Sequence, residues 1–113
     1  MQQPQLFSWY QVCATALNHM PHELTMRQWT ILLHIYLQDG EHNVKSLAIE
    51  FGLPKPSVSR ALSSLVQYGL IKRRKCQTDK RNITLQKTMK AIAFLNQFND
   101  IVTKSNYIQL KSE

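Results

Sequence analysis

The sequence is poor in acidic residues, glycine and cysteine, and each shortage excludes a class of functional site. Seven Asp or Glu residues are scattered among 113 positions and form no pair suited to general acid–base catalysis. Three glycines form no phosphate-binding loop, and no G-x-S-x-G motif is present. Cys13 and Cys76 lie far apart and form no C-x-x-C pattern, which indicates free thiols in a reducing compartment. We therefore predict that the protein is not an enzyme.

The sequence also lacks long apolar runs and clusters of metal ligands. No apolar run approaches the roughly 18 residues that a membrane-spanning helix needs. The first residues, MQQPQLFSW, have neither the basic region nor the small-residue cleavage site of a secretory signal. The four histidines are scattered, and Pro21 separates His19 from His22, so no closed metal site is expected. These absences predict a cytoplasmic protein without a membrane partner, a metal or a cofactor.

Positive charge is the feature present in excess, and one third of the chain holds all of the excess. Residues 55–90 contain ten Lys or Arg residues against one acidic residue, Asp79. Residues 1–54 contain two Lys or Arg residues against four acidic ones, and the whole chain has a net charge of +7. Such a concentration predicts salt-dependent binding of a polyanion. An acidic lipid surface is the weaker alternative, because no amphipathic membrane anchor accompanies the basic segment.

Apolar spacing and capping residues predict two helices in the first 40 residues. Residues 6–20 place apolar side chains at spacings of three and four, on one face of a helix. Thr25 and Gln28 have the spacing of a capping box, and the helix that they begin is expected to end at Asp39-Gly40. Because this second helix is apolar nearly all round, we expect it to lie at the centre of the core.

Residues 44–68 predict two further helices joined by a tight turn, which is a helix-turn-helix unit. Asn43 is the predicted cap of the first helix, and Gly52 is expected to end it in the left-handed conformation. Pro56 fits the first turn of the second helix, where backbone N–H groups lack partners. A helix that enters a DNA major groove needs small hydroxyls for close approach and a guanidinium to pair with guanine. The outward residues of the second helix have this character: Lys55, Ser57, Ser59, Arg60 and Ser63.

Residues 70–85 change period and predict a basic β-hairpin. Leu70-Ile71 begin one strand, CQTD forms the turn, and NITL alternates as the returning strand. Because a strand alternates its faces, about half of the cations in Lys72–Lys75 are expected to contact phosphates, and none to read bases. A hairpin attached to a helix-turn-helix unit is a winged helix. We therefore predict a mainly α fold with a small β-hairpin wing, in a single domain of residues 1–113.

Three segments, LTMRQWTILLHI, VKSLAIEFGLPKPSVSRALSSLVQYGLIKRR and DKR, together resemble the MarR family of bacterial transcription regulators. The resemblance implies a homodimer that binds an inverted-repeat site in double-stranded DNA, usually as a repressor. It places the recognition helix at residues 55–63. It also matches the D-x-R of the family's wing with Asp79, which would brace the wing, and with Arg81, which would enter a minor groove.

The resemblance further implies that residues 5–20 and 90–110 form the dimer interface. The sequence departs from the family's pattern after the wing, where KTMKA at residues 87–91 replaces the usual L-T-x-x-G. This difference predicts an altered junction between the wing and the last helix. Nothing identifies a small-molecule effector. The predicted DNA-binding residues are Lys55, Pro56, Ser57, Ser59, Arg60, Ser63, Lys72, Arg73, Arg74, Lys75, Lys80 and Arg81.

The sequence leaves open a redox role for either cysteine and two functions other than transcription regulation. Some MarR relatives sense oxidants through a thiol in the first helix, which makes Cys13 a redox candidate, although we favour a small buried apolar residue. Cys76 has cationic neighbours that make it the more reactive candidate, although we favour an incidental exposed residue. The chain could instead be a winged-helix module that binds an acidic protein, or an architectural or replication-type DNA-binding protein. The charge and the motifs favour a nucleoid-associated regulator.

Overall fold

The computed structural model describes residues 3–75 and 82–112, with side chains to residue 105. It has five helices and one two-stranded antiparallel sheet, so the predicted mainly α fold with a hairpin wing is confirmed. The predictions for Cys76, Asp79, Lys80 and Arg81 lie outside the described residues. The elements in chain order are α1 (Pro4–His19), α2 (Met26–Leu37), α3 (Val44–Phe51), α4 (Lys55–Gln67), β1 (Ile71–Lys75), β2 (Ile83–Lys87) and α5 (Met89–Ser112).

The chain divides into two compact units. The central unit comprises residues 24–92, and the terminal unit comprises residues 1–23 and 93–113. The helix-turn-helix unit and the wing therefore belong to the central unit, whereas α1 and most of α5 belong to the terminal unit. That the whole chain acts as one winged-helix domain stays a prediction.

Helices α2 and α3 begin at the predicted capping residues, and α3 ends at the predicted glycine. The Thr25 side chain accepts a hydrogen bond from the Gln28 N–H, and the Gln28 side chain accepts one from the Thr25 N–H, which completes the capping box. Asn43 and Ser46 form the same reciprocal pair at the start of α3. Gly52 ends α3 at φ +61°, in the left-handed region that favours glycine. These local signals fix the helix-turn-helix boundaries.

The core of the central unit is built around α2, as its sequence predicts. Ile31, Leu32 and Ile35 are buried, and buried residues of the other elements complete the core. The helix ends at Leu37 rather than at Asp39-Gly40, and Leu37 is exposed, so its last turn is less central than predicted. The other core residues of this unit are Leu24, Leu47, Ala48, Val58, Ala61, Leu62, Leu65, Leu70, Ile71, Leu85 and Ala91.

The terminal unit buries little of α1. Val12 is the one buried residue of this helix, whereas α5 contributes Phe94 and Ile101 to the core of the unit. The Gln97 side chain donates a hydrogen bond to the carbonyl of His19, at 3.1 Å, and so links α5 to the C-terminal end of α1. The predicted apolar face of α1 is largely exposed: Leu6, Trp9, Tyr10 and Leu17 are each between 60% and 65% exposed.

The favoured interpretation of Cys13 as a buried residue is wrong. Cys13 is exposed. It lies four residues from both Trp9 and Leu17, so it shares their face of the helix and not the face of Val12. A spacing of three and four indicated that these residues share a face, but it did not indicate that this chain covers that face.

Candidate nucleic-acid interface

The recognition helix α4 is held against the core by one face. Val58, Leu62 and Leu65 have no exposed surface, which fixes the rotation of the helix about its own axis. The opposite face consists of Lys55, Pro56, Arg60, Ser63 and Gln67, all exposed. Ser57 and Ser59 lie on the flanks and are half-buried.

The outward ridge of α4 includes one residue that sequence reasoning missed. Pro56, Arg60, Ser63 and Gln67 follow each other at spacings of four, three and four, so they lie along one line of the helix surface. The prediction stopped at Ser63 because it considered the first turns only. The same helical period would have included Gln67.

The N-terminus of α4 has no side-chain cap. Pro54 occupies the cap position, and its carbonyl accepts hydrogen bonds from the N–H groups of Ser57 and Val58, at 3.0 and 3.2 Å. Pro54 has no side-chain acceptor for the amides of the first turn. These amides carry the positive end of the helix dipole, which favours an anionic phosphate oxygen.

The wing presents its cations outward. Strand β1 pairs with β2 from Ile71↔Lys87 to Lys75↔Ile83, two residues further along β2 than the predicted end at Leu85. Ile71 is buried, whereas Lys72, Arg73, Arg74 and Lys75 are all exposed. Because side chains alternate along a strand, Lys72 and Arg74 share one face and Arg73 lies on the other.

Arg73 joins the wing to the recognition helix. Its Nη2 atom donates a hydrogen bond to the Oγ atom of Ser63, at 3.1 Å. Both residues were predicted to contact DNA, and the structure brings them together. The hydroxyl of Ser63 keeps its own proton for a further acceptor, because it accepts rather than donates in this contact.

The cations of this surface have no anionic partner within the described chain. Lys55, Arg60, Lys72, Arg73 and Arg74 form no ion pair with any residue that the structure describes. Exposed cations of this kind suit a polyanion, whose binding releases counterions and depends on salt.

Other chemistries find less support. Among the described residues, no group of three or more His, Cys, Asp or Glu side chains is placed to hold a metal ion. Of the helices described, none is both long and apolar enough to cross a membrane. The remaining predicted site residues, Asp79, Lys80, Arg81 and Cys76, lie outside the described part of the chain.

The comparison with protein families decides the identity of this fold. The model of the MarR family matches residues 24–83, more than half of the chain. The chain belongs to the MarR family. The matched segment lies wholly within the central unit, which contains the helix-turn-helix unit and both strands of the wing. The predicted resemblance is confirmed, and this MarR-family chain is a DNA-binding transcriptional regulator with a winged helix.

Solved structures share the fold at low sequence identity. RV1404 from Mycobacterium tuberculosis is 18% identical with a TM-score of 0.75, and the match covers 96% of this chain and 70% of that one. A mutant form of MepR from S. aureus is 18% identical with a TM-score of 0.74, over 97% and 75% of the two chains. A MarR transcriptional regulator from Methanosarcina mazei Go1 is 21% identical with a TM-score of 0.68, over 97% and 76%.

Proposed function

We propose that this MarR-family chain acts as a homodimer that binds an inverted-repeat site in double-stranded DNA and represses a promoter. The observation that carries the proposal is a surface on which two elements with exposed cations are joined. The ridge of α4 and strand β1 are joined by the bond from Arg73 to Ser63, and their cations lack anionic partners among the described residues. A protein with this surface is expected in the cytoplasm, associated with the nucleoid.

Within this surface we assign different tasks to the two elements. Arg60 lies on the outward ridge of α4 and reads base edges in the major groove, with Lys55 and Ser63 beside it. Lys72 and Arg74 share one face of β1 and contact phosphates, which position the protein without reading sequence. Arg81, at the position of the family's D-x-R motif, enters the adjacent minor groove.

The exposed face of α1 supports the homodimer. Leu6, Trp9, Tyr10 and Leu17 together form an apolar surface that a soluble protein rarely leaves uncovered. We propose that a second copy covers it, with residues 5–20 and 90–110 of both copies in the interface. A two-fold dimer places its two recognition helices on half-sites about one helical turn apart, roughly 10 base pairs.

Selection of genomic DNA fragments by the purified protein, at two salt concentrations, tests the proposal. The enriched fragments should share an inverted repeat and should be retained less well at high salt. Sizing of the complex should give two protomers for each site. Enrichment without a shared sequence would favour an architectural or replication-type role. An absence of salt-dependent DNA binding would favour a module that binds an acidic protein.

A further inference from the structure

One tyrosine binds the chain at both ends of the wing hairpin. Tyr36 lies on α2, and its phenol oxygen accepts a hydrogen bond from the Thr88 N–H, at 2.8 Å. The same hydroxyl donates to the carbonyl of Leu70, at 3.1 Å, and lies 3.4 Å from the carbonyl of Thr88. Leu70 immediately precedes β1, and Thr88 immediately follows β2. One side chain therefore binds both ends of the hairpin at their common root.

Thr88 completes this connection from the other side. Its hydroxyl donates to the carbonyl of Gly69, at 2.8 Å, and accepts from the N–H of Ala91, at 3.1 Å. It is thus the N-terminal cap of α5 and a second tie to the turn between α4 and β1. The KTMKA segment, which departs from the family's usual motif, provides this threonine and the buried Ala91.

The hairpin is anchored mainly at its root. The first rung of the sheet, Ile71↔Lys87, lies between the two residues that Tyr36 binds. The Lys87 ammonium lies 5.7 Å from the centre of the Tyr36 ring, which adds a cation–π contact. Two further hydrogen bonds lie along the strands: the Leu85 N–H donates to the carbonyl of His42, at 3.0 Å, and Arg73 donates to Ser63. These contacts fix the orientation of the wing relative to the rest of the central unit.

We propose that Tyr36 is a positioning residue for DNA binding, which acts by fixing the orientation of the wing relative to the recognition helix. The proposal rests on the proposed function, because it requires the wing to contact DNA. Tyr36 lies on α2, away from the outward ridge of α4. Its hydroxyl satisfies a donor and an acceptor that are part-buried, and removal of the hydroxyl leaves both without that partner. If the wing can change its angle, DNA binding must first order it, and the entropy lost in that step weakens the affinity.

A double-mutant cycle separates positioning from general stability. Tyr36→Phe removes the hydroxyl and keeps the ring, whereas Lys72→Ala with Arg74→Ala removes the proposed phosphate contacts of the wing. Affinity for a selected DNA fragment is measured for the wild type, each variant and the combination. Tyr36→Phe should weaken binding by about 3- to 10-fold alone, the size of one hydrogen bond's net contribution, because only part of the cost of the two lost bonds affects binding. It should weaken binding by less than about 2-fold once the wing cations are gone, because the two changes affect one interaction.

A control variant with a comparable loss of stability is available on the same helix. Ile31 is fully buried in α2, so Ile31→Val lowers stability without touching the wing root. It should leave DNA affinity within about 2-fold of the wild type, measured well below the unfolding transition. In the absence of DNA, amide hydrogen exchange in residues 70–75 and 82–88 should be faster in Tyr36→Phe than in Ile31→Val.

The outcomes distinguish the two proposals. Equal losses in both backgrounds of the cycle, or an Ile31→Val variant that matches Tyr36→Phe, would overturn the positioning role while leaving the proposed function intact. A wild-type protein that selects no DNA would overturn the proposed function, and with it the role of Tyr36 in binding. If Tyr36→Phe does not fold, the cycle is run with Thr88→Val, and Thr88→Ser, which keeps the hydroxyl, should bind like the wild type.

Discussion

Helices α4 and α1 have similar lengths but opposite distributions of apolar residues. Four residues of α4 are buried, and its outward ridge is polar and basic. One residue of α1 is buried, and its outward face contains large apolar side chains. The apolar side of α4 is buried within its own unit, and its exposed outer face suits a polyanion. The face of α1 needs another apolar surface. The outer faces of the two helices thus suit different partners, a polyanion for α4 and another apolar surface for α1.

The largest effect is expected when the apolar face of α1 becomes charged. Trp9→Glu with Leu17→Glu should convert the proposed dimer to monomers at micromolar concentration, because burying unpaired carboxylates in an apolar interface is strongly unfavourable. DNA affinity should fall by about two orders of magnitude or more, since one half-site then acts alone. Analytical ultracentrifugation and DNA titration measure both effects.

Asn18→Glu is the matched control for this change. Asn18 is exposed and lies within the proposed interface segment, but to one side of the apolar face, so the same carboxylate there should weaken the dimer far less than the double change. A charged double variant that remains dimeric would show that α1 does not provide the interface. The proposed contrast between a DNA-binding α4 and a protein-binding α1 would then be wrong.

On α4, we expect Arg60→Ala to have the largest single effect on DNA recognition. The loss should be about 1–3 kcal/mol for the selected site and much less for random DNA, because a bidentate contact to guanine is removed. Competition titrations with specific and random fragments measure the difference. The control Lys45→Ala removes an exposed cation of α3. It should reduce DNA affinity and sequence preference less than Arg60→Ala does. Equal losses on both kinds of DNA would exclude base reading by Arg60.

In the wing, Lys72→Ala with Arg74→Ala should change the salt dependence more than the sequence preference. The proposed dimer loses two phosphate contacts in each protomer, so the slope of log K against log salt should fall by about 3.6, at roughly 0.9 for each contact. The slope is obtained from titrations at several salt concentrations. Lys45→Ala with Arg27→Ala removes the same charge from exposed positions of α3 and α2 and should change the slope less. An unchanged slope in the wing variant would exclude phosphate contacts by this face.

The smallest effect concerns the cap of the helix that precedes α4. Asn43→Ala should lower the free energy of unfolding by about 1 kcal/mol, because the Ser46 N–H loses its acceptor. Urea denaturation measures the loss. Asn43→Ser, which keeps a capping oxygen, should be within about 0.5 kcal/mol of the wild type. A wild-type stability for Asn43→Ala would mean that packing alone holds the start of α3.

Features encoded over three or four residues could be predicted from the sequence. The capping box of Thr25, the cap at Asn43 and the left-handed Gly52 follow from local hydrogen bonding and steric freedom. The inward face of α4 follows from the helical period. The alternation and turn residues of the basic segment were sufficient to predict a hairpin, although β2 extends two residues beyond the predicted end.

Features that depend on distant contacts could not be predicted in this way. Tyr36 and Thr88 are 52 residues apart, and neither belongs to a pattern that indicates a hydrogen bond between them. The bond from Arg73 to Ser63 needs the angle between a strand and a helix, which periodicity does not give. The exposure of Cys13 depends on which face of α1 the chain itself covers. Apolar spacing does not distinguish a face that packs within the chain from one that packs against another molecule.

The anchoring of the wing at its root has a consequence for how such regulators diverge. Ile71 and Leu85 are the buried residues of the two strands, and the hydrogen bonds of Tyr36 and Thr88 all lie at the base. Substitution, lengthening or exchange of the outer segment, residues 72–84, is therefore expected to disturb little of the core. The outer part of the wing is therefore expected to be exchangeable, at the cost of the hydrogen bond from Arg73 to Ser63. A segment grafted from another regulator should transfer its salt dependence, while the recognition helix retains the sequence preference of the host.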